Sequence, residues 1–192
     1  LWVGALLLVS LIKVKADPDK LDHPKHHELF FGRYLLFFVL GQVQAAVVVL
    51  GDIFLLKCQI LYPGLFWFAA SVTSFTFSML IYALTIAFGD MGKAFAVVIV
   101  VIQIAGSSSC GTYPIEILPD FYQKVYIFFP FPYAINALRE TVAGMYGSTF
   151  ETALSELLVF AVAGLMIGLV IRIPFIRLNH FMEKRMEDTK MM

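Results

Sequence analysis

Charged residues are scarce in this chain. Of its 192 residues, 15% are Asp, Glu, Lys or Arg, whereas 60% are hydrophobic and the mean hydropathy is +0.83. Soluble domains carry about a quarter charged residues. The 14 basic and 14 acidic residues cancel, so no net charge attracts the chain to nucleic acid. The composition excludes an ordinary soluble enzyme, a nucleic-acid-binding protein and a disordered chain.

Chemical motifs are equally scarce. The two cysteines, Cys58 and Cys110, form no disulfide framework and no metal-binding pattern. The string GDMGKA over 89–94 lacks the glycine spacing and the Ser or Thr of a phosphate-binding loop, and it predicts a tight turn. No Ser, His and Asp arrangement and no carboxylate pair suggests a hydrolase. We therefore expect no enzyme activity and no cofactor.

Long apolar runs dominate the sequence instead. A helix needs about 20 apolar residues to cross the hydrocarbon layer, and continuous rather than alternating runs favour helices over strands. The fold class is therefore predicted to be all-α, a polytopic helical membrane protein. The run over 1–12 is short, and we expect it to be the end of a transmembrane helix that starts upstream in a longer protein. Full spans are predicted at 34–56, 65–88, 94–112 and 154–173, with a loop at 13–33, a mixed segment at 113–152 and a tail at 174–192.

The basic residues predict the orientation, because lysine and arginine concentrate on the cytoplasmic side. If successive spans cross the membrane in alternating directions, eleven of the 14 basic residues lie on one side. They are in the 13–33 loop, at Lys93 and after residue 171. The other side holds three, Lys57, Lys124 and Arg139. The 13–33 loop and the C-terminus are therefore predicted to be cytoplasmic, and the 113–152 segment to be outside.

The outer segment carries four prolines and two amphipathic stretches, 120–129 and 133–146. Prolines end helices, so the stretches are predicted to form two short helices. A re-entrant or interfacial hairpin explains this pattern. The alternative is an ordinary outer loop that lies on the lipid surface.

A family resemblance rests on this segment. The order G-T-Y-P, L-P, F-P-F-P-Y-A-I-N-A-L-R-E and G-M-Y-G resembles the C-terminal membrane domain of the YhgE/Pip (phage infection protein) family, which includes the EsaA/YueB-type component of type VII secretion. More distantly, the layout is similar to ABC-2 type transporter permeases, whose last two spans are joined by outer re-entrant helices with a P…LP…P-x-x-Y-x-x-x-x-x-R pattern. The matching residues are Gly111, Pro114, Leu118, Pro119, Pro130, Pro132, Tyr133 and Arg139.

The resemblance implies a six-span bundle, of which this chain holds four spans and a part. It also implies a large outer domain upstream, a bacterial cytoplasmic membrane location and a homodimer. The implied function is export across that membrane. The alternative is a membrane anchor and scaffold for the outer domain, acting as a secretion-system component or a phage receptor. Membrane lipids are expected partners, with either a separate ATPase subunit or secretion-system components.

Polar residues inside the predicted spans form two faces. Such residues either line a path for a substrate or pack helices together, and both interpretations stay open. Gln103 lies deep in its span, so we expect it to bond across helices. Gly164 and Gly168 have the spacing of a close helix contact. The polar residues are Gln44, Asp52, Ser71, Ser74, Ser78, Tyr82, Thr85 and Gln103.

The 13–33 loop contains the apolar cluster Leu29, Phe30 and Phe31 beside Glu28. In ABC-2 permeases the corresponding loop carries a coupling helix that contacts the ATPase. The alternative is a basic juxtamembrane segment that touches anionic lipid. His23, His26 and His27 have the spacing of metal ligands, but no second ligand cluster joins them, which favours solvated histidines.

Overall fold

The computed structural model describes residues 1–14, 26–106 and 120–171. All regular structure in these ranges is helical, which confirms the all-α prediction. The helices are α1 (Trp2–Leu11), α2 (His26–Leu50), α3 (Pro63–Phe88), α4 (Asp90–Gly106), α5 (Asp120–Val125), α6 (Phe131–Ala143) and α7 (Thr149–Met166). A π-helical turn, Gly51–Leu55, continues α2, and a second one, Ile167–Ile171, continues α7. A 3-10 turn, Tyr126–Phe128, follows α5.

Three helices in the described ranges are long and apolar enough to cross a membrane: His27–Leu55, Pro63–Phe88 and Thr149–Val170. The Trp2–Leu11 helix is apolar but shorter. The predicted span 94–112 corresponds to α4, whose described part ends at Gly106. The predicted tail, 174–192, lies outside the described residues.

Helix α3 is the centre of the bundle. It packs against α1, α2, α4, α6 and α7, and 72% of its apolar window is buried, against 28% in each of the other two spans. Its sequence allows this because small residues lie on several faces and let neighbouring helices approach closely. The small buried residues are Ala69, Ala70, Ser74, Ser78, Ala83 and Ala87.

Gly164 of α7 and Gly168 of the π-helical turn that continues it let neighbouring helices approach closely. A Cβ atom added to Gly164 would lie 3.2 Å from the Leu80 side chain and 3.3 Å from its backbone. A Cβ atom on Gly168 would collide with the ring of Phe30. Gly164 and Gly168 thus form the close helix contact that their spacing predicts.

The turn between α3 and α4 is as tight as predicted. Gly89 has a positive φ of 64°, which favours glycine. Gly92 lies against the backbone carbonyl of Leu84, and Lys93 pairs with Asp90 at 3.0 Å. The turn between the two helices is therefore made at Gly89, and the rest of the string 89–94 forms the start of α4.

We expect Gly92→Ala to destabilise the protein by about 1–3 kcal/mol, because its Cβ would be forced into the Leu84 carbonyl oxygen. The matched control is Gly32→Ala in α2, where an added Cβ meets nothing within 4 Å. The measurement is the fraction of monodisperse protein left after heating in mild detergent. Equal thermal stability of the two variants would contradict the described turn.

Candidate functional site

Helix α6 starts deep inside the bundle and runs back toward the end that holds the α2–α3 loop. The Phe131 ring stacks on Phe77 at 5.2 Å between centroids. Further along, Ala137 packs with Ala69. At the far end, the backbone N–H of Tyr62 donates to the Thr141 carbonyl at 3.1 Å. Helix α6 therefore lies antiparallel to the first half of α3.

The depth of the α6 N-terminus follows from its neighbours. Phe77 is close to the middle of α3, which runs from Pro63 to Phe88, and lies about 20 Å from its first residue at the α-helical rise. Trp2 packs edge-on against Phe131 at 5.5 Å, and its indole N–H donates to the Ala96 carbonyl of α4. Helix α6 thus runs alongside only the first half of α3 and begins inside the bundle.

The first residues of α6 reduce the number of backbone donors at this depth. A helix leaves its first N–H groups without intrahelical partners, and in hydrocarbon no water replaces them. Pro130 and Pro132 have no N–H group. The N–H of Phe131, between them, donates to Oε1 of Gln103 at 3.2 Å. This bond is the cross-helix bond expected for Gln103.

Two polar atoms near the α6 N-terminus have no partner among the described residues. Nε2 of Gln103 and Oγ1 of Thr73 make no hydrogen bond, although both residues are only 2% exposed. Thr73 lies one helical turn from Phe77, toward the N-terminus of α3. The polar surroundings of the α6 N-terminus are therefore only partly satisfied.

The polar face of α3 contacts α2. The Tyr82 hydroxyl donates to the Phe30 carbonyl at 3.0 Å, and Ser74 Oγ donates to the Gly41 carbonyl at 2.8 Å. Ser78 Oγ lies 3.2 Å from the Tyr34 hydroxyl. Ser71 exchanges hydrogen bonds with Gln42. These side chains of α3 hold α2 antiparallel to it.

The remaining polar residues predicted from the sequence lie apart from this face. Thr85 donates within α3, to the Ile81 carbonyl at 2.8 Å. Gln44 points toward Gly4 of α1, where its amide fills the space of a missing Cβ. Asp52 lies in the π-helical turn that follows α2.

The family motif is only partly described. Pro130, Pro132 and Tyr133 form the start of α6, where the Tyr133 hydroxyl donates to the Ile127 carbonyl at 3.0 Å. Arg139 is exposed on α6. The other motif residues, Gly111, Pro114, Leu118 and Pro119, lie outside the described residues.

The residues predicted as a coupling loop, Glu28–Phe31, belong to α2. The helix begins at His26, eight residues before the predicted span at 34–56. The physical reason is that Phe30 is completely buried against Tyr82 and Tyr34, which extends the packed helix inward. Phe31 is 46% exposed, and its ring contacts the ring of Phe30 edge-on at 5.4 Å between centroids. Of the predicted cluster, Phe31 is thus available at the surface and Phe30 is not.

Sequence reasoning missed several residues that the structure brings into contact. Tyr34 and Gln42 bond to α3, and Thr76 donates to the Leu157 carbonyl of α7 at 3.2 Å. It also missed Glu156, a carboxylate within the apolar helix α7. The sequence could have revealed Glu156, because it is an ionisable residue inside an apolar run long enough to span the membrane.

Comparison with known proteins agrees with this architecture. Residues 25–172 match the family model described as ABC-2 family transporter protein. The chain is 27% identical over 192 residues to the uncharacterised protein YhgE of Bacillus subtilis strain 168, covering 98% of this chain. It spans 23% of that relative's length. No solved structure matches the chain significantly. The predicted resemblance to YhgE and to ABC-2 permeases is therefore confirmed.

We expect Gln103→Leu to destabilise the packed hairpin by about 1–3 kcal/mol, because the buried N–H of Phe131 loses its acceptor. The matched control is Thr73→Val, equally buried, which removes a hydroxyl that has no partner among the described residues. Thermal denaturation in mild detergent measures both. A Gln103→Leu variant as stable as Thr73→Val would show that the Gln103 bond does not hold α6.

Proposed function

The chain belongs to the ABC-2 family of transporter proteins, and from this membership we propose that it is the membrane domain of an exporter in the bacterial cytoplasmic membrane. One observation carries the proposal: α6 begins at mid-height of α3 and returns to the outer end. Half-helices whose ends lie inside the membrane are typical of transporters, where irregular backbone is tolerated next to a route. Helices that only anchor a domain have no such need.

The proposed route does not run along the polar face of α3. The hydroxyls of Ser74, Ser78 and Tyr82 all bond to neighbouring groups. This favours the packing interpretation of these residues and leaves the hairpin and its surface as the proposed route. We further propose that two copies of the protein associate, by analogy with ABC-2 permeases.

Scaffolding is the second candidate function. The chain spans 23% of the length of its relative YhgE, so most of that relative lies in other segments. An outer domain of a secretion-system component or phage receptor would need packed helices as its anchor, and the hydrogen-bonded α2–α3 pair provides them. If the protein is an exporter, compounds should accumulate in cells that lack it. If it is a scaffold, no such accumulation is expected.

We propose the orientation that the basic residues predict, with the C-terminus in the cytoplasm and the α2–α3 loop outside. Cys58 supports a direct test because it is exposed in that loop. It should react with a membrane-impermeant maleimide on intact cells, and Cys58→Ser should remove this labelling. Labelling of Cys58 only after permeabilisation would reverse the orientation.

Export is tested in a strain that lacks the gene, complemented with the full-length protein or its variants. Untargeted mass spectrometry compares the contents of the cells and of the medium. We expect one class of compounds to accumulate several-fold in the deletion strain. We expect the same accumulation with Gln103→Leu but not with Thr73→Val, because only the first releases the N-terminus of α6.

Two results would contradict export. If no compound shifts between cells and medium in the deletion strain, the transport proposal fails. If instead the set of secreted proteins changes without accumulation of small molecules, the scaffold function is favoured. Loss of membrane insertion of Gln103→Leu, measured by its abundance in the membrane fraction, would exclude that variant from the comparison.

A separate ATPase subunit is the proposed energy source, because the chain carries no phosphate-binding loop. Exposed Phe31 and Glu28, at the predicted cytoplasmic end of α2, form the proposed docking surface. The full-length protein purified in gentle detergent should retain an ATPase as a stoichiometric partner and behave as a dimer. Phe31→Ser should lose the ATPase, whereas Phe128→Ser, an exposed aromatic of the outer hairpin, should keep it. Recovery of secretion components, or of no partner, would contradict the ATPase proposal.

A further inference from the structure

Three aromatic rings from three helices meet where α6 begins. The indole of Trp2, from α1, stands edge-on to Phe77 of α3 at 5.0 Å and to Phe131 of α6 at 5.5 Å between centroids. The Phe77 and Phe131 rings stack on each other at 5.2 Å. Edge-on and stacked pairs are the favoured geometries of aromatic contacts. Each ring thus contacts the other two, and the first side chain of α6 lies between α1 and α3.

The indole of Trp2 also bonds to a fourth helix. Trp2 is 3% exposed, and its N–H donates to the Ala96 carbonyl of α4 at 3.2 Å. A buried indole N–H needs such an acceptor, so the bond fixes the orientation of the ring. Helix α4 also supplies Gln103, which accepts the backbone N–H of Phe131. The first residue of α6 is therefore tied to α4 twice, through its backbone by Gln103 and through its ring by Trp2.

Helix α1 is itself held against α2, which keeps Trp2 in place. Gly4 leaves room for the side-chain amide of Gln44, and an added Cβ atom would overlap that amide. Just past the end of α1, Nε of Arg33 donates to the Lys13 carbonyl at 2.8 Å. These contacts fix α1 to α2 near both of its ends.

Only one side of α1 takes part in this packing. Trp2, Ala5 and Val9 follow at i, i+3 and i+7 and are buried, whereas Val3 and Leu7 are more than half exposed. Because α1 is apolar on almost all sides, its sequence does not indicate which side packs. The family match begins at residue 25, after α1. A helix outside the matched residues thus contributes a side chain to the start of α6.

We propose that Trp2 is a positioning residue, which fixes the start of α6 against α3 and α4 and makes α1 part of the functional unit. This inference deepens the proposed function and rests on it, since the position of α6 matters for export only if the hairpin belongs to the route. The effect of Trp2 on the position of α6 can be measured without any transported compound.

The test measures how fast a thiol on α6 reacts with a membrane-permeant maleimide, in native membranes that hold a cysteine-free form of the full-length protein. Ala134→Cys reports on the start of α6, because Ala134 is 4% exposed and three residues from Phe131. Thr141→Cys reports on the other end, where Thr141 is completely buried. We expect Trp2→Ala to raise the reaction rate at position 134 several-fold, because the start of α6 loses a ring contact, and to leave position 141 slow.

Two further variants separate positioning from general packing. Trp2→Phe keeps an aromatic ring and should restore most of the slow rate at position 134. Leu7→Ala removes an exposed side chain of the same helix and should change neither rate. If Trp2→Ala does not insert into the membrane, Trp2→Leu takes its place, because leucine fills much of the space without an aromatic ring. An unchanged rate at position 134 would overturn the proposal. So would equal increases at positions 134 and 141, because they would mean that the whole bundle loosens.

The export comparison of the deletion strain adds the functional readout. Trp2→Ala should cause the same accumulation of compounds as Gln103→Leu, whereas Leu7→Ala should cause none. If the deletion strain itself accumulates nothing, the proposed function fails, and the thiol rates still decide whether Trp2 positions α6. Normal export by a Trp2→Ala variant whose position 134 has become reactive would overturn the role of Trp2 in export.

Discussion

The architecture of this domain depends on one constraint: a helix that starts inside a membrane exposes backbone N–H groups where no water can bind them. Helix α6 starts at mid-height of α3. Two prolines remove two of these donors, and Gln103 accepts the one between them. The F-P-F-P string is thus a chemical requirement of the position, because each proline removes a group that would need a partner. Gln103 completes the arrangement from α4.

The central position of α3 follows from a related requirement. Within the membrane, helices are not driven together by water, so packing and hydrogen bonds must hold them. Small residues of α3 let α7 approach at Gly164, and its hydroxyls bond the backbone of α2 at Gly41 and Phe30. The same side chains looked like a path in the sequence, because a polar stripe on an apolar helix is compatible with both uses. Only the positions of the carbonyl groups that accept these hydrogen bonds distinguish helix packing from a path.

Hydropathy and proline spacing predicted most of the fold, because both report directly on the bilayer. Gln103 was identifiable as the single polar residue deep in its span. The start of α2 was not, because basic residues precede it and only the burial of Phe30 between α2, α3 and α7 extends the helix to His26. Glu156 escaped notice because the predicted span began at Leu154, which placed the carboxylate at its edge. In the structure this helix already starts at Thr149, and the neighbouring helix α3 extends further toward the same end of the bundle.

The two ends of α6 are held by different kinds of contact. At the end near the α2–α3 loop, the Thr141 carbonyl accepts a backbone hydrogen bond from Tyr62, and Ala137 is completely buried in close contact with Ala69. At the N-terminal end, Phe131 donates one hydrogen bond to Gln103 of α4 and makes aromatic contacts with Trp2 of α1 and Phe77 of α3. Such contacts contribute about 1 kcal/mol each. The buried start of α6 is therefore fixed by side chains from three different helices, whereas its other end is fixed by the backbone and by close packing of alanines.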